Sequence, residues 1–329
     1  MARAAGIRFA IFALLLACLG EALGFPLMKA FALCSDRVAP GVSGWFMTAF
    51  LLAGRFLGAA LVLCCFERKL PTRSELAQGL WIGGFAGGGH LLQIDGLHWT
   101  DAATSAFLTQ GYVVVLPLLA AVESHARPER RVLWAVLVSL IGLAVLARFD
   151  PRTLTLGRGE AETLLAAVLF AGQIFAISRP SYAHNEAGPV TMVMFLTVGL
   201  GSLPLAAAAA RPADFVHFIS SAGAWGLLGL LAVFSTLLPF VLMNRYQRHV
   251  SSSEAGVIYG AEPVLASVLA LFLPALLSQV ARIHYANERL SLRLFVGAVL
   301  VTAAALLLRA RADSAAKVRD QPELSNALD

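Results

Sequence analysis

Glu21, Arg55 and Glu262 are ionisable residues set within long apolar runs, and a charge held at bilayer depth costs at least about 2.5 kcal/mol on insertion scales. Such a group has to be paired, hydrated or functional. Glu21 and Arg55 fall near the middle of consecutive apolar stretches, which places them at similar depth in an antiparallel hairpin. Two chemistries fit: a buried ion pair that locks the hairpin, or a site where Glu21 receives a cationic group or a proton and Arg55 holds a carboxylate. Glu262 precedes Pro263, which has no backbone N–H and leaves the Tyr259 carbonyl without its helical donor, so a local break there turns polar backbone toward a cavity. Tyr259 and Glu262, three residues apart, share a face if the helix continues.

Uncharged hydrogen-bonding groups extend this set. His90 and Gln93 stand at i,i+3 spacing, Gln110 and Tyr112 sit mid-stretch, and Gln173 follows in the second half of the chain. Amides and phenols bind a polar solute without the desolvation cost of a charge, which suits a site that must also release its cargo; interhelical hydrogen bonding is their alternative role. Lys29 sits close enough to a span end to snorkel to the interface. The cysteines Cys18, Cys34, Cys64 and Cys65 lack metal-ligand spacing, so the sequence predicts neither a metal site, a disulfide framework nor a cofactor.

The elements that hold these residues follow from composition. Of 329 residues, 58% are hydrophobic and 14% charged, with mean hydropathy +0.75, which excludes an ordinary soluble domain. The formal charge of +5 does not point to nucleic acid, because Lys and Arg cluster in short gaps between apolar runs and read as topology signals. An apolar helix needs about 20 residues to span. Ten stretches are expected, near Ile7 to Phe31, Gly44 to Phe66, Leu76 to Leu97, Asp101 to Val122, Val132 to Ala147, Glu162 to Ile177, Pro189 to Ala210, Ala222 to Met243, Glu254 to Leu277 and Leu292 to Leu308. Arg3 and Arg8 before Ile11 to Leu16 resemble a signal peptide, but the apolar run continues to Phe31 and is read as a span.

With both termini and the even-numbered loops in the cytoplasm, fifteen Lys and Arg lie inside and eight outside, which sets the orientation. The halves align at an offset of 150 residues: Phe25 falls on Phe175, Lys29 on Arg179, Gly79 on Gly229, Thr109 on Tyr259 and Tyr112 on Glu262. Five spans per half is an odd number, so the halves insert in opposite orientations. The expected fold is an all-α integral membrane protein of ten transmembrane helices in two inverted five-helix repeats, residues 1–150 and 151–310, followed by a polar, disordered cytoplasmic tail at 311–329. Such repeats place a substrate site near the midplane between them. Gly79, Gly83 and Gly87, with Gly84 and Gly88, give the third stretch a strip for close helix contact, and Trp45, Trp81, Trp99 and Trp225 stand near predicted span ends as interfacial anchors.

Several segments together resemble the drug/metabolite transporter superfamily, specifically its ten-span EamA-type permeases. They are Gly24-Phe25-Pro26-Leu27-Met28-Lys29, Gly54-Arg55-Phe56-Leu57, Gly96-Leu97-His98-Trp99-Thr100-Asp101-Ala102 and Ala106-Phe107-Leu108-Thr109-Gln110-Gly111-Tyr112. In the second half they are Val233-Phe234-Ser235-Thr236 with Asn244-Arg245, and Tyr259-Gly260-Ala261-Glu262-Pro263-Val264. The resemblance spans about Phe12 to Leu308. It implies alternating-access movement of a small metabolite across a bacterial cytoplasmic membrane, with export of an amino acid or related compound as the leading cargo and protons as a coupling ion suggested by Glu21 and Glu262. Two departures stand out: Ser278 to Ala286 lengthen an external loop, and Gly111-Tyr112-Val113 replaces a Tyr-Pro, which predicts an unkinked fourth span.

A lipid-linked or drug-like amphiphile is the alternative cargo. A different class, an intramembrane serine protease, rests on Gly41-Val42-Ser43-Gly44 with His90 as base, but Ser43 falls in an external loop and an inverted repeat has no place in that mechanism. The prediction is that Ser43→Ala leaves solute flux unchanged in reconstituted vesicles; loss of a proteolytic activity in that variant instead would establish the enzyme.

Overall fold

The computed structural model describes residues 2–96, 108–125, 129–146, 157–211, 221–287, 295–297 and 299–304, with isolated positions 99, 105, 152, 289 and 292. Parts of the expected fourth and tenth stretches, and the whole tail from 311 to 329, lie outside the described residues. Among the described residues the chain is helical and carries no strand. The helices are α1 (Ala2–Val38), α2 (Gly44–Cys64), α3 (Arg73–Gly96), α4 (Tyr112–Ser124), α5 (Arg130–Leu146), α6 (Arg158–Ile177) and α7 (Ala187–Ala209). They continue with α8 (Ala222–His249), α9 (Ser252–Leu269), α10 (Leu273–Ala281) and a short apolar α11 (Phe295–Ala304).

Five of these, α1, α2, α6, α7 and α8, are long and apolar enough to cross a membrane, and a sixth candidate is the pair α9 and α10, bent by 64°. Among the described residues this is fewer than ten, in part for local physical reasons. Helix α3 is 24 residues long but spends much of its length on glycine and on His90, Gln93 and Asp95, so its hydropathy is low. Helix α4 has 13 residues and α5 has 17, short of the roughly 20 that a straight span needs. Helix α1, at 37 residues, is about 55 Å long and exceeds the hydrocarbon thickness at both ends.

Helix α2 packs along α7, and α3 packs against both α6 and α7; α1 lies against α8, α9 and α10, while α4 contacts α6 and α9. The glycine strip of α3 is what brings it close to α7. A Cβ on Gly79 would stand 2.5 Å from Val193 Cβ, and one on Gly83 2.6 Å from Thr197 Cβ and 3.0 Å from the Met194 carbonyl. On another side of the same helix the strip is open, with nothing within 4 Å of a Cβ on Gly84.

Polar groups tie the helix ends on the side assigned to the cytoplasm. Lys69 pairs with Glu186 at 2.6 Å, and this hydrogen bond holds the Lys69 ammonium above its ordinary pKa. Glu75 accepts the backbone N–H of Thr72 and of Glu186, both at 2.8 Å. The last carbonyls of α6, which lack intrahelical donors, receive Gln78 Nε2 at Ala176 and Gln247 Nε2 at Ile174. On the opposite side Arg158 pairs with Asp95 and Glu162 and lies 4.7 Å over the Trp99 ring. The lengthened loop folds back on α10: Ser278 Oγ donates to the Tyr285 carbonyl and accepts its N–H, and the Arg282 carbonyl receives Arg37 Nη1 from the end of α1.

Gly83→Ala is expected to lose about 1–3 kcal/mol through overpacking against Thr197, read as a lowered unfolding temperature in detergent. Gly84→Ala is expected to leave that temperature unchanged or raised.

Candidate functional site

Helices α1, α2 and α8 each run between two apolar clusters, one including Leu14, Cys18, Leu52, Phe56 and Phe240, the other Leu27, Phe31, Phe46, Leu51 and Leu231. Where the helices pass from one cluster to the other they carry polar residues: Glu21 on α1, Arg55 on α2, Ser235 and Thr236 on α8. All four lie near the midpoints of their helices.

Arg55 is 1% exposed, and its bonds go to α8. Pro239 has no N–H, so the Ser235 carbonyl four residues earlier lacks its α-helical donor. The chain opens into a π turn over Val233–Leu237, and Arg55 Nη2 donates to the Ser235 carbonyl at 2.8 Å. Arg55 Nε donates to Thr236 Oγ1 at 2.8 Å, and Thr236 in turn donates to the Leu231 carbonyl at 3.0 Å. Nη1 approaches Met28 Sδ at 3.5 Å, and the guanidinium carbon lies 5.3 Å from the Phe56 ring centroid. The expected ion pair is therefore not formed: Glu21 lies within electrostatic range of Arg55, but its Oε1 is buried with no hydrogen-bond partner. Arg55 is drawn to α8 because a proline-orphaned carbonyl in an apolar interior has no water to turn to.

The ninth element breaks as Glu262-Pro263 predicts. Regular α-helix stops at Tyr259, and Ala261 N donates to the Ile258 carbonyl at 3.0 Å in a tighter turn before the helix resumes at Glu262. Tyr259 donates its hydroxyl to Gln247 Oε1 at 2.8 Å, and both Tyr259 and Glu262 lie close enough to Glu21 to interact electrostatically. Cys18 Sγ donates to the Ile258 carbonyl at 3.6 Å. Since Arg37 of α1 also meets Arg282 beyond α10, the two elements run parallel, and Glu21 and Glu262 each lie about one turn past the Cys18–Ile258 contact at matching depth.

The fourth element also breaks, against expectation. Gly111 N donates to the Leu108 carbonyl at 2.9 Å and Val113 N to Gln110 at 3.0 Å, so the turn at Gln110-Gly111 interrupts the helix without a proline. Gln110 is 4% exposed and its Oε1 has no partner. Tyr112 is buried beside it, in electrostatic range of Glu262, Cys18 and Tyr259. His90 packs between Phe56 and Phe170, with centroids at 6.0 and 5.1 Å, and its Nε2 is also without a partner. Gln93 is committed to a structural contact, donating to Thr109 Oγ1 at 3.1 Å. Gln173 is buried in α6.

The structure thus gathers Glu21, Glu262, Gln110 and Tyr112, sets His90 nearby among aromatic rings, and commits Arg55, Gln93 and Tyr259 to helix contacts. Sequence reasoning missed Cys18, Ser235, Thr236 and Gln247. Two signals were available: Cys18 shares a face with Glu21 by spacing, and Pro239 stands four residues after Ser235.

Among the described residues, an all-helical arrangement with five or six helices long and apolar enough to cross a membrane, and with buried polar groups near the midpoints of several of them, is that of a multi-pass membrane protein. The comparisons make this specific. Residues 160–310 match the EamA-like transporter family. An uncharacterized transporter from Archaeoglobus fulgidus is 26% identical over 224 residues, covering 67% of each chain. A solved structure described only as the crystal structure of a protein is 17% identical and aligns with a TM-score of 0.61 over 92% of this chain and 96% of its own, a likeness of fold. The second half of the chain thus resembles an EamA-like transporter domain, and about two thirds of the chain is similar to a membrane transporter.

Arg55→Met is expected to cost about 1–3 kcal/mol for the buried carbonyl it strands. Arg55→Met with Pro239→Ala is expected to recover part of the loss, because an alanine at that position supplies the missing N–H. Thermal unfolding in detergent measures both; equal stability of Arg55→Met and the parent would remove the bracing role.

Proposed function

We propose that this chain is a secondary transporter that moves a small metabolite across a bacterial cytoplasmic membrane by alternating access, built from two inverted five-helix halves with both termini inside. The observation that carries the architecture is the match between the two helix breaks. The turn at Gln110-Gly111 and the turn at Gly260-Ala261 are 150 residues apart, each flanked by helix on both sides, and each closed by a bond to the carbonyl three residues earlier. Helix contacts pair up in the same way: α3 with α6 corresponds to α8 with α1, α3 with α7 to α8 with α2, and α4 with α6 to α9 with α1. A close approach is also repeated, since Gly20 lies against Pro239 and its exchanged pair, Phe170 and Gly89, is in contact as well.

Discontinuous helices that meet at mid-depth are where transporters of this design bind cargo, because the break exposes backbone and side-chain acceptors to a cavity. Here Glu21, Gln110, Tyr112 and Glu262 gather between the two breaks, with His90 and Gln173 in the surrounding helices. Export of an amino acid or related compound remains the leading cargo. Lipid-linked or amphiphilic cargo has no comparable support, since the unpartnered groups lie in the bundle interior. Protons are the coupling ion in this reading: two carboxylates in one apolar neighbourhood cannot both stay ionised without a neutralising partner.

Purified protein in proteoliposomes, tested by counterflow with a panel of labelled amino acids and amines, is expected to show saturable flux of a small solute that accumulates down an imposed pH gradient. Glu262→Gln is expected to retain counterflow and lose gradient-driven accumulation. Flux indifferent to both the gradient and the substitution would end the proton reading, and absence of saturable flux across the panel would end the small-metabolite reading.

A further inference from the structure

The two segments of the broken α9 meet different surroundings. The first, Ser252–Tyr259, packs against α1, α4, α5 and α6, and residues 255–260 are all buried, a run longer than one helical turn and therefore covered on every face. The second, Glu262–Leu269, packs along α1 with a lesser contact to α5, and residues 261–267 are all partly exposed. Glu262 stands at the inner end of this accessible stretch. It lies deep among protein atoms and is still partly exposed, as a side chain at the end of a crevice is.

Exposure along a membrane-spanning helix also arises from contact with lipid, and the repeat separates the two cases. In α4, Tyr112, Val113, Leu116 and Pro117 form a buried face, and Val114 and Leu118 an exposed one. The 150-residue offset carries the buried four onto Glu262, Pro263, Ala266 and Ser267, every one of which is partly exposed. Val268, the counterpart of Leu118, is exposed as Leu118 is. The second segment of α9 thus has an outward face like that of α4 and is open, in addition, on the face that α4 turns to the interior.

That face of α4 is covered by the other half of the molecule. A Cβ on Gly256 would lie 2.5 Å from Leu116 Cδ1 and 3.9 Å from Tyr112 Cδ2, so the missing side chain at 256 is what lets α4 close on the first segment of α9. Beyond it Arg179, just after α6, pairs with Glu123 at the end of α4 at 3.4 Å. Both contacts lie on the side assigned to the cytoplasm. On the transporter reading above, we propose that this structure is the outward-open state: Glu262 and the cargo are reached from outside along Glu262, Pro263, Ala266 and Ser267, and Leu116 seated on Gly256 is the gate that closes the interior to the cytoplasm.

The test is sided thiol labelling of the full-length protein in membrane vesicles with a charged, membrane-impermeant methanethiosulfonate. The parent protein fixes orientation through Cys64 and Cys65, exposed at the end of α2 and expected to react only from the cytoplasmic side. With these two replaced by Ser, Ala266→Cys and Ser267→Cys are expected to react from the outside at least about tenfold faster than Val113→Cys reacts from either side, and Leu118→Cys, facing lipid, is expected to stay unlabelled because a thiol away from water does not ionise. Adding Gly256→Phe, a wedge under Leu116, is expected to open Val113→Cys to reagent from the cytoplasm. Labelling of Val113→Cys from the cytoplasm without the wedge, no labelling at 266 and 267 in protein that unfolds at the parent temperature, or reaction of Cys64 and Cys65 from outside overturns the inference. Saturable counterflow in the same preparation then leaves the transporter reading intact, whereas the expected labelling without saturable flux of any solute removes that reading and keeps the sided opening.

Discussion

Backbone hydrogen bonding has no substitute in the interior of a membrane protein, and the bond from Arg55 to the Ser235 carbonyl shows how this chain meets that constraint. Pro239 removes a donor from the middle of α8, the helix widens into a π turn, and a guanidinium from α2 repairs the gap. The repair fixes α2 against α8 at mid-depth and commits the guanidinium to that contact. Around it Glu21 Oε1, Gln110 Oε1, His90 Nε2 and the Ser235 hydroxyl are buried without hydrogen-bond partners.

The same economy governs the helix ends. Carbonyls at the end of α6 are satisfied by Gln78 from α3 and Gln247 from α8, and Arg248 reaches the Asn185 carbonyl at 2.8 Å. The Gln78 bond crosses between the two halves of the chain and the other two join α8 to elements of its own half, so the connections around α6 and α7 are braced by helices distant in sequence. At the other end, Arg158 with Asp95 and Arg37 with the Arg282 carbonyl also join first-half to second-half elements. Arg158 with Asp95 is an ion pair whose guanidinium is half-exposed, and the others are side-chain bonds to backbone carbonyls.

Local breaks give the interior its polar character. Pro263 announces one of them, but Gln110-Gly111 breaks the corresponding position of the first half without a proline, where glycine lowers the cost of leaving helical geometry. Two different local sequences therefore reach the same backbone shape at positions 150 residues apart. The residues at these turns differ: Tyr112 in one half stands where Glu262 stands in the other.

Composition and spacing by themselves determined that the chain is a helical membrane protein, where its apolar stretches run, which charges sit inside them, and that a break accompanies Glu262-Pro263. These follow from properties of short segments: transfer cost per residue, helix period, and the missing N–H of proline. The partner of each buried group was beyond such reasoning. Arg55 belongs to Thr236 and Ser235 rather than to Glu21, the Tyr259 hydroxyl to Gln247, and Gln93 to Thr109. Hydrogen bonds reach about 3 Å, and which groups come that close depends on how α1, α2, α8 and α9 pack across separations of up to 240 residues. Only the tertiary structure could decide that, and with it which polar groups remain free.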